Sequence, residues 1–537
     1  MLDAYPILTL IPPLLAIVLV IATRKVLVSL GAGILAAGLV LADFNPVTMV
    51  VWVWDAIVRL VWADGAINWF TILIVAFLFQ LGIVTALIMM SGGAAAFTEW
   101  AAKRIKSRRG AQVLTGLLGM IIFIDDYFNS LAVGQVARPI TDRYRVSRAK
   151  LAYLIDSSSA PVVVLMPLSS WGATIMAIMA PILTASALMM TQLEAFVLSA
   201  VMNYYAIAAL LLLWLTIVFG LDFGAMRREE QRAVAGHGLY DEKDDAPAQL
   251  TDAVPSHNYG AMRALILPFV VLFIGVMVGM YVSGGILGGS WALFDTLENT
   301  DVAVALNVGG IAALIVAAYY CVRYTQRSEK FPAGTRRRGV LHGAKSMLGA
   351  VFILLFAWVL GDLIGELGTG EYLASVVEAV AMPAVWLVPA LFVIAALIAF
   401  ATGTSWGSFG ILLPLAGDMM NAVPDGDALL IASFGAVLAG AVWGDHSSPI
   451  SDTTILSSTG AACSIPTHVS TQLPYAFVGA LAALVGYVTY ALTQSGVIGL
   501  AVTLGLVVVV ALVIRKVRPP LREDVAVDVR QGAPPTV

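Results

Sequence analysis

Charge is what this sequence has least of. Of its 537 residues only 12% are Asp, Glu, Lys or Arg, against about 25% in an ordinary soluble domain. So small a supply cannot cover a water-facing surface, and lipid must replace water over much of it. Cysteine is nearly missing as well. Cys321 and Cys463 stand far apart in apolar surroundings, which excludes a disulfide framework and reads as inert packing. No phosphate-binding Gly-x-x-x-x-Gly-Lys-Ser/Thr loop occurs, so ATP-driven work is not expected. No basic face carries interleaved aromatics, and nucleic acid is not an expected partner. A cleavable leader is also lacking: the first apolar segment, Tyr5 to Ala22, follows Asp3 and not a basic start, and reads as a retained span.

What is present is apolar sequence. Hydrophobic residues make up 60% of the chain, with mean hydropathy +0.91. Long runs include Ile7 to Ala22, Ile72 to Met90, Val302 to Val322, Val385 to Ala401 and Val497 to Ile514. A span needs roughly 20 such residues, which gives about 10 to 13 spans or part-spans in an all-α polytopic bundle. Basic residues gather at Arg24 and Lys25, Lys103 to Arg109, Arg143 to Lys150, Arg323 to Arg338 and Arg515 to Arg518. These read as cytoplasmic topology determinants. Acid-only loops alternate with them: Asp295, Glu298 and Asp301; Glu366, Glu371 and Glu378; Asp418, Asp425 and Asp427. The expected organisation is N-terminal membrane segments over 1–66, a first membrane repeat over 67–220 and a charged cytoplasmic connector over 221–262. Linking helices with a basic loop follow over 263–338, a second repeat over 339–494, and a last span with a disordered cytoplasmic tail over 495–537. A bacterial inner (plasma) membrane is the expected location.

The two repeats show weak internal similarity. Ser91-Gly92-Gly93 and Phe97 resemble Leu367-Gly368-Thr369 and Leu373, and Pro139 aligns with Pro414 at nearly the same offset. Asp156 and Pro161 align with Asp445 and Pro449, and Ser169 with Ser458. The loop after the first glycine pair is basic, whereas its counterpart is acidic. Equivalent loops then lie on opposite sides of the membrane, as inverted-topology repeats require.

Polar residues concentrate in two clusters inside this apolar sequence. The first holds Asp125, Asp126, Asn129 and Ser130, then Asp156, Ser157, Ser158 and Ser159 with Pro161, then Ser169-Ser170-Trp171-Gly172. The second holds Thr402-Gly403-Thr404-Ser405-Trp406, then Asp445, His446, Ser447, Ser448, Pro449, Ser451, Asp452 and Thr453. A charge at membrane depth costs ~2.5–3.5 kcal/mol or more. Pro and Gly break helices there and free backbone carbonyls, which is tolerated only along a cavity. Carboxylates, hydroxyls and carbonyls are hard oxygen ligands suited to Na⁺, and a carboxylate also takes H⁺. One Asp can therefore exchange the two cations by competition. The expected ion- and substrate-binding residues are Asp125, Asp126, Asn129, Ser130, Asp156, Ser157, Ser158, Thr402, Thr404, Ser405, Asp445, His446, Ser448, Asp452 and Thr453. Asp156, Asp445 and Asp452 are the candidate Na⁺ ligands.

Bland roles stand beside these. Asp125 and Asp126 are adjacent, so a regular helix cannot aim both at one site; one is free to cap a helix or pair with Arg138. Asp156, Asp445 and Asp452 suit helix N-caps. His446 reads as a satisfied interior histidine, with no Cys or second His near it in sequence. The Ser and Thr residues suit hydrogen bonds between helices. Asp55 and Arg59 read as an i,i+4 surface pair, and Asp362 with Glu366 as guards of an entrance.

The stretch Gly444 to Gly460, with Thr471-Gln-Leu-Pro-Tyr475 after it, closely resembles the NhaC-type Na⁺/H⁺ antiporter family; His446 marks a His-containing subgroup. Ile124 to Ser130 and Asp156 to Gly172 resemble it too, so that the likeness spans about residues 70 to 490. It implies two inverted repeats with re-entrant or broken elements, and it places Asp125, Asp126, Asn129, Asp156, Asp445, Ser448 and Asp452 in the family's polar motifs. The expected function is secondary active Na⁺/H⁺ antiport by alternating access, with no enzyme activity and no cofactor beyond Na⁺ as transported or coupling ion. The alternative is a Na⁺- or H⁺-coupled transporter of an amino acid or carboxylate. A distant one is an intramembrane aspartyl protease, drawn from Gly444-Asp445. A channel is disfavoured, because a pseudo-symmetric single chain suits alternating access. Expected partners are Na⁺, H⁺, the bilayer and, in the alternative, a small organic solute; a homodimer is an open assembly.

Overall fold

The computed structural model describes residues 5–521 apart from 24, 64, 241–259, 293–295, 297–298, 326–330, 370–371, 373–374, 376–382, 425 and 450. The acidic residues Asp295, Glu298, Glu371, Glu378 and Asp425, residues 241–259 of the connector and the tail beyond residue 521 lie outside the described residues, as does the side chain of Asp452. Among the described residues nine helices are long and apolar enough to cross a membrane, and four shorter apolar helices accompany them. The one sheet described is a two-stranded turn, Trp62–Ala63 against Ala66–Ile67. The chain is an all-α, multi-pass membrane protein.

Helix interruptions organise the bundle, and they fall in a matching order in its two halves. In the first, the helix Arg108–Ile121 gives way at Ile122–Asp125 to Asp126–Arg143. Next comes Arg148–Ser157, which breaks at Ser158 and Ser159. In the second, Leu387–Thr402 ends at Gly403, whose φ of +73° places it in the left-handed region. Glycine adopts that region without a Cβ penalty and terminates helices there. Thr404 then caps Ser405–Ala422. Asp427–Ser447 follows and breaks before Asp452–Ala461. Pro161 and Pro449 lie in or just after the breaks, where a residue without an N–H costs least. The aligned glycines Gly92 and Gly368 both end long helices in the left-handed region, at φ +73° and +67°.

The halves interlock through these pieces. Asp452–Ala461 packs on Asp126–Arg143 and Arg148–Ser157, while Ser170–Ala185 packs on Ser405–Ala422. Small residues allow the close approach. A Cβ on Gly134 would meet Gly460 Cα at 2.6 Å, and one on Gly444 would meet the Ala396 carbonyl at 2.4 Å. Small-residue seams are how apolar helices pack where water supplies no drive.

Several basic residues read as loop determinants are interior. Lys150 is 1% exposed and meets Asp222 at 2.8 Å. Arg108 pairs with Glu230, which also accepts from Ser147 N at 2.8 Å. A buried ammonium needs a paired carboxylate, and the partners come from a segment some 70 residues or more away, which spacing does not show.

Candidate functional site

Asp445 sits two residues from the C-terminal end of its helix, so it does not N-cap that helix. A carboxylate there faces the negative end of the dipole, at a cost of ~0.3–1 kcal/mol. Compensation comes from the next element. Ser405 is the first residue of its helix, and both its backbone N (3.1 Å) and its Oγ (2.8 Å) donate to Asp445 Oδ2. The carboxylate thus lies on the positive end of Ser405–Ala422. Oδ1 accepts from Ser451 Oγ and from Thr453 Oγ1, the latter at 3.4 Å. Ser451, not Asp452, caps Asp452–Ala461 by accepting from Thr453 N. A 3% exposed carboxylate is therefore enclosed by three hydroxyls and one N–H.

Asp156 holds the matching place, one residue from the end of Arg148–Ser157, and is not an N-cap either. Its Oδ2 accepts from Gln472 Nε2 at 2.6 Å and lies 3.1 Å from His468 Nε2. The same Gln472 amide donates to the His446 carbonyl. His446 itself bridges Ser157 Oγ (3.1 Å, Nε2) and Tyr205 OH (2.6 Å, Nδ1). It is a satisfied interior histidine, but a second histidine does lie nearby, 22 residues on in the chain. His468 and Gln472 are i,i+4 on one helix face, and sequence reading missed both. The available signal was the polar stripe His468, Gln472 and Tyr475 inside an otherwise apolar helix.

The break at Ile122–Asp125 brings both adjacent aspartates to one neighbour. Asp125 Oδ2 accepts from Ser170 Oγ at 3.0 Å, and Asp126 Oδ1 from Trp171 Nε1 at 3.1 Å. Asp125 precedes the helix, which frees the pair from helical geometry. The centroids of the Trp171 and Trp406 rings lie 5.5 Å apart.

Other expected site residues serve the backbone. Asn129 Nδ2 donates to the carbonyls of Gly119 and Ile122, both at 2.7 Å, and of Ser158 at 3.2 Å, closing two breaks at once. Ser130 Oγ reaches Ser159 Oγ and Ser457 Oγ across the two halves. Ser158 Oγ turns back to Leu154 O, Ser448 Oγ to Phe400 O, and Thr402 Oγ1 to Ala399 O. Thr404 caps its helix through Trp406 N. Among the described residues no three His, Cys, Asp or Glu side chains converge as a metal centre. A cation here would be held by single carboxylates with hydroxyl, amide and carbonyl oxygens.

Beside this interior lies a cavity of about 910 Å³, lined by Arg59, Pro181, Trp358, Asp362, Glu366 and Pro414 among others. Trp358, Asp362 and Glu366 recur every four residues along one helix face. Trp358 Nε1 donates to Ala177 O at 3.0 Å. Arg59 meets Asp362 at 2.6 Å, across 303 residues of chain, in place of the i,i+4 pair expected with Asp55.

Interrupted helices that carry carboxylates into the interior of an apolar bundle define a secondary transporter. The chain belongs to the Na⁺/H⁺ antiporter family, whose sequence model matches residues 162–492. An uncharacterized protein of Haemophilus influenzae is 44% identical over 514 residues, 95% of each chain. An uncharacterized Na⁺/H⁺ antiporter of the same organism is 29% identical over 208 residues, 38% of this chain and 41% of that one. The malate-2H⁺/Na⁺-lactate antiporter of Bacillus subtilis is 34% identical over 143 residues, 26% of this chain and 28% of that one. The protein is an antiporter-family transporter and not an enzyme, and the protease reading falls.

Proposed function

We propose that the protein exchanges Na⁺ for H⁺ across a bacterial plasma membrane and that Asp445 is where the two compete. The observation that carries this is the hydroxyl cage of Ser405, Ser451 and Thr453 around a buried carboxylate. A hydroxyl both donates and accepts. Around an unoccupied carboxylate the three donate; with Na⁺ present they rotate and offer lone pairs, while Ser405 N–H keeps the carboxylate fixed. With a proton on Asp445 the carboxyl itself becomes a donor. The reciprocal packing of the halves supports reading them as inverted repeats that move against each other.

The test is a Na⁺ gradient imposed on proteoliposomes with a pH dye in the lumen. Wild type should move protons and Asp445→Asn should not. Equal proton movement in both would sink the assignment. The cavity favours a second reading, since it would admit a small organic ion beside Arg59. The malate–lactate exchange named for the Bacillus relative is of that kind. Proton movement that appears only when a carboxylate or amino acid is supplied would transfer the cargo to that class.

A further inference from the structure

The Asp156 break holds two buried side-chain oxygens that its hydrogen-bond network leaves out. Asp156 Oδ1 and Gln472 Oε1 make no hydrogen bond, in side chains that are 0% and 1% exposed. They belong to groups already joined: Gln472 Nε2 donates to Asp156 Oδ2 at 2.6 Å. The second oxygen of each group is thus one bond angle removed from that contact. Buried polar atoms in native proteins are nearly always satisfied, by protein, water or an ion. An ionised carboxylate oxygen and an amide oxygen are both acceptors only, so each asks for a donor or a cation.

We propose that Asp156 Oδ1 and Gln472 Oε1 are ligands of a second monovalent-cation site of the Na⁺ class, separate from the hydroxyl cage at Asp445. This rests on the reading of the chain as a Na⁺ exchanger. The amide is suited to a joint task. Its nitrogen fixes one carboxylate oxygen and the His446 carbonyl, which orients its own oxygen and leaves the other carboxylate oxygen open. A full negative charge and a neutral amide oxygen match a hard, weakly charged cation. Because the same amide holds the carbonyl next to Asp445, filling one site bears mechanically on the helix end that carries the other. Two bound cations per chain then bear on how much charge one cycle moves.

Na⁺ alone is the probe. Binding of ²²Na⁺ to the purified full-length protein is measured at alkaline pH, with monodispersity and thermal unfolding recorded for every variant. Wild type should take up two Na⁺ per chain, and Asp445→Asn one. Gln472→Met, close in shape but without the oxygen, should lose at least tenfold in affinity at one site. Gln472→Glu, which keeps an oxygen and adds charge, should match or exceed wild type. A purely structural glutamine would weaken binding in both substitutions. Should Gln472→Met fail to fold, Gln472→Glu decides: binding of the second Na⁺ at least as tight as in wild type supports the site, and weaker binding overturns it. One Na⁺ per wild-type chain also overturns it, leaving the two oxygens to water. If instead Asp445→Asn retains two Na⁺, the Asp445 assignment fails while the Asp156 site stands.

Discussion

Asp156 and Asp445 occupy the same place in two similar runs of backbone, yet the donors around them differ in kind. Each stands at the end of a helix just before a serine- and proline-containing break. Asp445 is met by hydroxyls and by the start of a helix in its own half. Asp156 is met by an amide and an imidazole from Ile465–Thr493. Hydroxyls can turn from donating to ligating, whereas an amide N–H or an imidazole N–H cannot. Repeated backbone sets where a carboxylate lies, while its neighbours decide what it can exchange.

The comparison breaks most sharply at the carboxylates. Asp445→Asn forfeits on the order of 3 kcal/mol of cation binding, roughly 100-fold, so Na⁺-driven proton movement should fall to the background of empty liposomes. Asp156→Asn should leave a measurable Na⁺ site, the one at Asp445. Direct Na⁺ binding separates the two, and loss of all binding in Asp156→Asn would mean that the two aspartates serve one site.

The helices that carry the two aspartates are also anchored differently, and stability reads this out. Lys150, on the Asp156 helix, is a buried ammonium paired with Asp222, with the Tyr153 and Tyr475 rings each 5.7 Å away. Lys150→Met strands a buried carboxylate, and thermal unfolding should show a loss of about 3–5 kcal/mol. Adding Asp222→Leu should restore most of it. If the double variant is no better than the single one, the pair is not what holds that helix.

A smaller effect tests the cage directly. Ser451→Ala removes one charge-assisted hydrogen bond worth ~1–1.5 kcal/mol, so Na⁺ affinity should drop roughly five- to tenfold. It should drop further at lower pH, where protons compete for the same carboxylate. Ser158→Ala, whose hydroxyl only turns back to Leu154 and Ile155 carbonyls, should leave the affinity near wild type.

How much of this was legible follows from the range of each signal. Apolar runs announced the bundle, since a span is a local property of about 20 residues. The carboxylates stood out because charge is costly in lipid. His468 and Gln472 lie inside a long apolar helix at ordinary spacing, and only the third dimension brings them to Asp156, more than 300 positions away. Lys150 looked like loop charge because its neighbours in sequence are basic; its partner, Asp222, comes from after the helix Tyr204–Phe219. The N-cap reading of Asp156 and Asp445 failed because the break follows each aspartate and does not precede it. A Ser- and Pro-rich segment signals that a helix stops, not on which side of the carboxylate.

The smallest expected effect lies at the cavity, away from either aspartate. Arg59 and Asp362 form a pair with about two-fifths of each side chain exposed, and such pairs are worth ~0–1 kcal/mol. Arg59→Gln removes the positive member and leaves the carboxylates of Asp362, Glu366 and Asp418 to face the cavity. If the cavity is the way in for cations, the apparent KM for Na⁺ should fall by no more than about fivefold at low ionic strength. The gain should vanish as choline chloride approaches 1 M, where the screening length drops to about 3 Å. No change at either salt would separate the cavity from the cation route. A change beyond tenfold that salt does not reduce would mean that Arg59 holds the Pro46–Arg59 helix to Leu348–Glu366, and that its loss reshapes the bundle instead of its field.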